Sequence, residues 1–387
     1  MTPGARVAAA IDILDQIISG QLAEQALSRW ARSSRYAGAK DRAAVRDHVF
    51  DALRHWRSDA IRGGGETGRA RMIGRLRAQG DSLSALFDGK AYCAAPLTAR
   101  ESAAGSEPEG LGDRWDVPDW MIDLFNESLG DDAERTAIAL TDRAPITVRI
   151  NGARTTAREA AARLAVDGIV LGPNPRAPSA LTACAGARRI RNSEAFKQGL
   201  VELQDASSQA AVATLPAQGR ALDFCAGGGG KALALAAAGW EVTAHDIDAA
   251  RMQDIPVRAA RGGHDIKICA LEEDIAERGT FDLVFCDVPC SGSGTWRRTP
   301  EAKWALTSDK LAAFVALQVQ VLERALKHVR PGGTLAYATC SVFKDENTGQ
   351  IEAFLATHPE WQQKAVHQWP VDEWGDGFFC AHLTHCG

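Results

Sequence analysis

The stretch that most constrains the fold is Phe281 to Trp304, FDLVFCDVPCSGSGTWRRTPEAKW. It opens with a short apolar run, Phe281 to Cys286, followed at once by Pro and Gly breakers, which is the pattern of a fully buried strand. An open parallel α/β sheet places its ligand crevice at the carboxyl ends of such strands, so the chemistry begins with Asp287, Pro289 and Cys290. Thr334 to Thr339, TLAYAT, is a second run of this kind and leads straight into Cys340 and Ser341. If both belong to one sheet, two thiols and one carboxylate converge on one crevice.

The segments before and between these strands fit the same sheet. Arg220 to Cys225 reads as a strand, Ala226 to Gly230 as a tight glycine loop and Lys231 to Ala238 as the helix that follows. Such a loop lets backbone N–H groups approach a ligand at the helix N-terminus. Glu241 to Asp246 reads as a second strand ending in an acid, the place from which a carboxylate accepts hydrogen bonds from ribose hydroxyls. A dinucleotide-binding fold shows the same pair, and a NAD-dependent dehydrogenase stays open at this point. Ile266 to Ala270 is a third strand. Leu311, Val315, Leu322, Leu326 and Val329 mark one face of a long helix that Pro331-Gly332-Gly333 is expected to stop. Asp345 to His358 reads as a helix and Phe378 to Leu383 as a last strand. This alternation gives an α/β fold with a doubly wound, mostly parallel sheet.

The first part of the chain is different. From Arg6 to about Asp59 apolar residues recur at helical spacing, as at Val7, Ile11, Leu14, Ile17 and Ile18, and the helical region ends near Phe87. Residues 94–113, rich in Ala, Pro, Gly, Ser and Glu, read as a linker. Trp115 to Arg191 mixes helix-like pieces with a strand, Ile146 to Ile150. The expected domains are therefore residues 1–90, a linker at 91–113, a small α/β domain at 114–205 and the main domain at 206–387.

Composition limits the partners. A net charge of −5 argues mildly against nucleic acid, which needs clustered Lys and Arg to displace counterions. The charge is uneven, however: residues 1–80 carry 14 Lys/Arg against 8 Asp/Glu, while Glu101 to Glu134 is strongly acidic. Nine cysteines without any C-x-x-C pair indicate neither a zinc site nor a disulfide framework, and no metal is expected. No apolar run has the length of a membrane span, and the N-terminus lacks the pattern of a secretory leader. A cytoplasmic monomer is the expectation.

Taken together, the motifs resemble a known family. Asp287-Val288-Pro289-Cys290-Ser291-Gly292 and Thr339-Cys340-Ser341 look like the two cysteine motifs of the RNA (cytosine-5) methyltransferases of the NOL1/NOP2/Sun (RsmB/NOP) family. The resemblance runs from about Leu111 to Leu383. It takes in Pro118-Asp119-Trp120, Arg149-Ile150-Asn151, Gln204 to Gln209 and the spacing of Arg251 from Asp246. The family's loop, D-x-C-A-A-P-G-G-K-T, is matched by Asp223 to Ala232 with departures at Gly227, Gly228 and Ala232, and loss of the proline is expected to loosen the loop. The segment DRAAVRDHVFDALRHW is similar to the NusB-like RNA-binding domain of the bacterial 16S rRNA members.

The resemblance implies a Rossmann-like methyltransferase domain that uses S-adenosyl-L-methionine (SAM) and acts on RNA, with 16S rRNA expected and tRNA the alternative. A catalytically idle SAM-binding assembly factor is a further alternative. It also implies roles. Carbon 5 of cytosine is a weak nucleophile until a thiolate adds to carbon 6 and turns the ring into an enamine. Cys340 would be that thiolate, Asp287 would hydrogen-bond the base and stabilise the developing charge, and Cys290 would assist loss of the carbon 5 proton. Cys225, Ala226, Gly227, Gly228, Gly229, Gly230, Lys231, Asp246 and Arg251, with Asp287, would surround the cofactor. Arg297, Arg298 and Lys303 would hold RNA phosphates beside the flipped base. Cys286 is expected to be an inert core thiol.

Overall fold

The amphipathic pattern of the first part of the chain produces helices Pro3–Ile18, Ala23–Ser33, Ala39–Arg54, Trp56–Gly63 and Gly68–Gln79, which bury Val7, Leu14, Val49, Leu53 and Met72 in one core. The computed structural model describes residues 1–216 and 219–385. These helices belong to a first unit, Met1–Arg143 with Trp296–Ala305, and the remainder, Ala144–Thr295 with Leu306–Gly387, forms a second. The segment read as one small α/β domain is thus divided, its helices Met121–Leu129 and Ala133–Ala139 going to the first unit.

Residues 94–113 do not behave as a free linker. Arg69 pairs with Glu101, Arg62 with Glu107, and Arg57 with both Asp113 and Asp119. The Arg77 guanidinium donates to the Ala104 carbonyl. The acidic segment therefore neutralises much of the basic excess of the helices before it.

The second unit contains two sheets. The smaller holds β1 (Thr147–Ile150), β2 (Val170–Pro173), β3 (Ala180–Ala185) and β4 (Val201–Leu203), all antiparallel in the order β2-β3-β1-β4. Two of its motif residues brace it against the larger sheet's helices. Asn151 Nδ2 donates to the carbonyls of Gly199 and Gly262, at 3.0 and 2.7 Å. Arg149 Nε holds Gln204 Oε1, and Gln204 Nε2 in turn donates to the Gly230 carbonyl at the start of the helix behind the glycine loop.

The larger sheet holds β5 (Arg220–Asp223), β6 (Glu241–His245), β7 (Ile266–Cys269), β8 (Phe281–Asp287), β9 (Val329–Thr339), β10 (Trp361–Trp369) and β11 (Phe378–His385), in the order β10-β11-β9-β8-β5-β6-β7. β5 to β9 run parallel, and β10 and β11 form an antiparallel edge. Leu222, Val284, Leu335, Tyr337 and Phe379 fill the core on one face, and Ala221, Leu283, Phe285, Ala336 and Phe378 that on the other. This is the expected doubly wound fold.

Three details differ from the sequence reading. The long helix stops at Ala325, and β9 already begins at Val329, because Arg330–Gly333 bulge out of the ladder between Phe281↔Val329 and Leu283↔Thr334. Gly332, at φ +68°, supplies the left-handed residue that the bulge requires. The next helix starts at Thr348, because Lys344–Glu346 make a tighter turn that sends Glu346 inward. β10 is a polar edge strand that the apolar pattern did not announce. Among the described residues, no helix is long and apolar enough to cross a membrane, and no cluster of three His, Cys, Asp or Glu could hold a metal ion.

Candidate active site

β8 and β9 are neighbours in parallel register, with Asp287 opposite Ala338. Backbone pairing continues past their ends, where the Val288 N–H donates to the Ala338 carbonyl at 3.0 Å and the Gly294 N–H to the Cys340 carbonyl at 2.9 Å. The two loops are therefore zipped together, and Cys290 Sγ lies 3.5 Å from Cys340 Sγ, both thiols free and half-buried. Beside them Lys231, from the first turn of helix Gly230–Ala237, forms an ion pair with Asp287. Its ammonium also lies over the Phe378 ring, 5.1 Å from the centroid. Burial works against the Lys231 charge, but Asp287, and after it Cys340 and Asp223, outweigh that and hold its pKa above the ordinary value. The cation stands in the field of the Cys340 sulfur.

Behind the thiols is a buried polar cluster that the sequence reading missed. Glu346, fully buried, accepts from the Ser291 N–H at 2.8 Å, from the Ser291 and Ser341 hydroxyls at 2.5 Å each, and from Gln318 Nε2 at 3.0 Å. Gln318 Nε2 also donates to the Pro289 carbonyl at 3.0 Å. Ser293 Oγ accepts from the Val342 N–H at 2.8 Å and lies 3.0 Å from Ser341 Oγ. On the other side Asn347 accepts from Thr339 Oγ1 at 2.5 Å and donates to the Ser341 carbonyl. The signal available in the sequence was an acid at the second residue of a stretch read as helix, Asp345 to His358, with no visible partner.

The glycine loop leads to the cofactor end of the crevice. The Gly227 N–H donates to Asp246 Oδ2 at 2.8 Å, with Gly227 at φ +49°, and Gly229 takes φ +82°. A Cβ on Gly229 would stand 2.7 Å from Ile255 Cγ1, so this residue must be glycine for the loop to lie against that helix. The Ala226 N–H donates to the His245 carbonyl, and Arg258 donates to the Gly228 carbonyl. The loop that lost its proline is thus anchored on both sides. Asp246 is buried, caps the Asp248 N–H and is paired with Arg251 at 3.1 Å. Asp223 is fully buried, with no full hydrogen bond to either oxygen, and burial followed by the nearby Asp287 charge pushes its pKa up to about 7. Ile247 and Leu271 leave apolar surface uncovered beyond the ends of β6 and β7, at 77% and 60% exposure. A glycine cradle, a strand-end acid and uncovered apolar surface for a planar ring together fit an adenosyl ligand.

The remaining cysteines of this region are inert. Burial pushes the Cys225 and Cys286 thiols far up, and neighbouring negative charge adds to the effect. Cys225 thus lines the loop without chemistry of its own.

The structure corrects the expectation for Arg297 and Lys303. Both are buried, at 2% and 1% exposure, in the first unit. Arg54 Nε donates to the Arg297 carbonyl at 2.7 Å, and Lys303 Nζ lies 3.4 Å from the Arg54 carbonyl and 4.7 Å from the Trp304 ring centroid. Burial lowers the Lys303 pKa to about 8, against the pull of Asp116. These two side chains pack the helical unit rather than present charge to a polyanion. Arg298 is half-buried.

Comparisons with known proteins converge on one family. Residues 211–384 match the model of the 16S rRNA methyltransferase RsmB/F family, and residues 117–184 that of its ferredoxin-like domain. The chain is 32% identical over 294 residues to "Ribosomal RNA small subunit methyltransferase B" of Cronobacter sakazakii, covering 72% of this chain and 68% of that one. It is 34% identical over 289 residues to the protein of the same name from Xanthomonas campestris, covering 69% and 66%. The match thus spans about two thirds of these relatives' length. Among solved structures, PH0851 is similar over 99% of both chains with a TM-score of 0.78 at 24% identity. NSun6 from Pyrococcus horikoshii is similar over 70% of this chain and 99% of its own, with a TM-score of 0.62 at 15% identity. At these identities the structural likeness speaks for the fold.

Proposed function

The chain belongs to the RsmB/F family of 16S rRNA methyltransferases, and from that premise we propose that it transfers a methyl group to carbon 5 of a cytosine in 16S rRNA through a covalent Cys340 adduct. S-adenosyl-L-methionine is the cofactor. Bound in the crevice, it supplies an electrophilic methyl on a sulfonium.

The observation that carries the reading is the pair of free thiols 3.5 Å apart at the ends of adjacent strands, beside the Lys231–Asp287 pair. Cys340, facing the ammonium, adds its sulfur to carbon 6 of the ring, which places electron density on carbon 5 for attack on the methyl. Asp287 is held by Lys231 through Oδ2, which leaves Oδ1 for the base edge. Cys290 assists loss of the carbon 5 proton to solvent, the electron pair of that C–H bond restores the ring double bond as the Cys340 sulfur leaves as thiolate, and the methylated base departs. Gly227, Gly229, Asp246 and Arg251 orient the adenosyl end.

RNA contact in the first unit is supported by what remains of its basic excess after internal pairing. Arg29, Arg32, Arg35, Lys40 and Arg42 are exposed in one helix–turn–helix corner beside exposed Tyr36, and among the described residues none is paired with a carboxylate. Cations that track phosphates beside a ring on which a base can stack suit an RNA strand. Arg298 is the remaining candidate of the three basic residues read from the sequence.

Substitution of each thiol tests the mechanism. Cys340→Ala should neither methylate undermodified 16S rRNA nor form a covalent complex. Cys290→Ala should methylate once and stall as a protein–RNA adduct that survives denaturing electrophoresis. An adduct in Cys340→Ala and none in Cys290→Ala would exchange the two roles, and no methyl transfer by the unaltered protein would overturn the reading.

A further inference from the structure

We propose that Glu346 is the positioning residue of the two-thiol site: its carboxylate clamps the Cys290 loop to the Cys340 loop, and its negative charge, set beside Cys290, disfavours a second negative charge there and leaves Cys340 as the nucleophile. The inference rests on the reading above for what the thiols do, but not for how they are held.

The clamp is visible in the donors. Ser291 follows Cys290 and gives Glu346 both its N–H and its hydroxyl, at 2.8 and 2.5 Å. Ser341 follows Cys340 and gives its hydroxyl, at 2.5 Å. Gln318, on the long helix, bonds both Glu346 and the carbonyl of Pro289, the residue before Cys290. One carboxylate therefore ties together the residues flanking both sulfurs. The Tyr337 hydroxyl, donating to the Glu346 carbonyl at 2.6 Å, fixes the backbone from which it projects.

The charge follows from the same list. The four donors to the carboxylate, three side-chain groups and the Ser291 N–H, are all neutral, and among the described residues no cation is paired with it. The titratable groups that face Cys290 are Cys340, Glu346 and the Tyr337 phenol. Its pKa is held well above the ordinary thiol value by the hydrogen bond to Cys340, then by burial, then by the Cys340 and Glu346 charges. Cys340 lies beside Cys290 and interacts electrostatically with the Lys231 ammonium. An anion beside one sulfur and a cation near the other separates two otherwise similar thiols.

The test of the charge needs neither RNA nor cofactor. In the full-length Cys340→Ala protein, alkylation of Cys290 by iodoacetamide is followed by mass spectrometry as a function of pH, with and without Glu346→Gln. Removing the charge should move the profile to lower pH and raise the rate at pH 8 roughly threefold to tenfold, the effect of a nearby unit charge at a partly screened site. A purely structural residue would not shift the midpoint, and profiles that coincide within a factor of about two overturn the charge half of the proposal. Glu346→Asp keeps the charge and shortens the reach: it should preserve the profile and lower methyl transfer at least about tenfold, since a misplacement on the order of 1 Å costs that much or more. Full activity in Glu346→Asp overturns the clamp. Should Glu346→Gln fail to fold, Gln318→Lys sets a cation against the same carboxylate and must produce the same downward shift. Loss of methyl transfer in the unaltered protein, with the alkylation shifts intact, would refute the proposed function and leave this inference standing.

Discussion

Asp223 should make the larger sheet less stable as pH rises through neutrality, and Asp223→Asn should remove that dependence. The carboxyl group ends β5 with no exposure to solvent, and its pKa stands at about 7 in the folded chain against 3.8 in an unfolded one. Between those values the folded state holds a proton that the unfolded state has released, so stability falls with rising pH at about 1.4 kcal/mol per unit and levels off above pH 7. From pH 5 to pH 8.5 this group alone should cost about 3 kcal/mol. The amide of the variant does not titrate, although its buried N–H groups carry a penalty of roughly 1–3 kcal/mol at every pH. The variant should therefore be less stable than the parent at pH 5 and as stable or more so at pH 8.5. Urea unfolding of both proteins at the two pH values, read by hydrogen exchange in β5 and β8 so that only this sheet reports, gives a double difference in which other titrating groups cancel. A double difference below about 0.5 kcal/mol would show that Asp223 is ionised in the folded protein and refute the reasoning.

Gly229→Ala puts a Cβ 2.7 Å from Ile255 Cγ1 at a residue with φ +82°, so SAM affinity measured by calorimetry should fall at least tenfold while the helical unit keeps its melting behaviour. Asp246→Ala frees the Gly227 N–H and the Arg251 guanidinium, and the SAM dissociation constant should rise by a factor on the order of ten to a hundred; an unchanged constant would remove Asp246 from the cofactor site. In the first unit, Arg57→Ala breaks half-buried contacts to Asp113 and the Val117 carbonyl and an exposed one to Asp119 and should cost about 2–3 kcal/mol in thermal unfolding, whereas Glu24→Ala, which breaks an exposed pair with Arg46, should cost less than about 1 kcal/mol.

What was legible in the sequence was local. β5, β6, β7, β8 and β9 announce themselves because a buried parallel strand must be short, apolar and followed by a breaker, and the crevice residues follow because they sit at strand ends. What escaped depends on residues far apart in the chain. Glu346 lies in the stretch Asp345 to His358 that reads as a helix, and its role shows only when the fold brings Ser291, Ser341 and Gln318 to it. Residues 94–113 read as a linker because turn-forming residues mark irregular backbone but cannot say whether that backbone is packed; Arg57, Arg62 and Arg69 decide that they are. The same pairing shows why a sum of charges over residues 1–80 overstates the basic surface, and why the exposed corner from Arg29 to Arg42 is what remains. Arg297 and Lys303 were misplaced for a related reason: a charged motif beside a catalytic loop looks like a phosphate clamp, but the chain turns there into the first unit and buries both.

Two sulfurs 3.5 Å apart cannot both be thiolates without strong mutual repulsion. Which sulfur takes the charge is decided by what surrounds them, and the surroundings are not symmetric. Lys231 reaches the crevice from the helix behind the glycine loop and is kept charged by Asp287 despite its burial. Glu346 reaches the other sulfur's loop from behind β9 and brings no counter-charge with it. The sheet therefore does more than bring two cysteines together. By hanging one thiol near a cation from β5's helix and the other over a carboxylate from the turn after β9, it sets chemically identical side chains in opposite fields. In the proposed transfer, where one sulfur attacks and the other assists loss of a proton, that difference assigns the attack to Cys340.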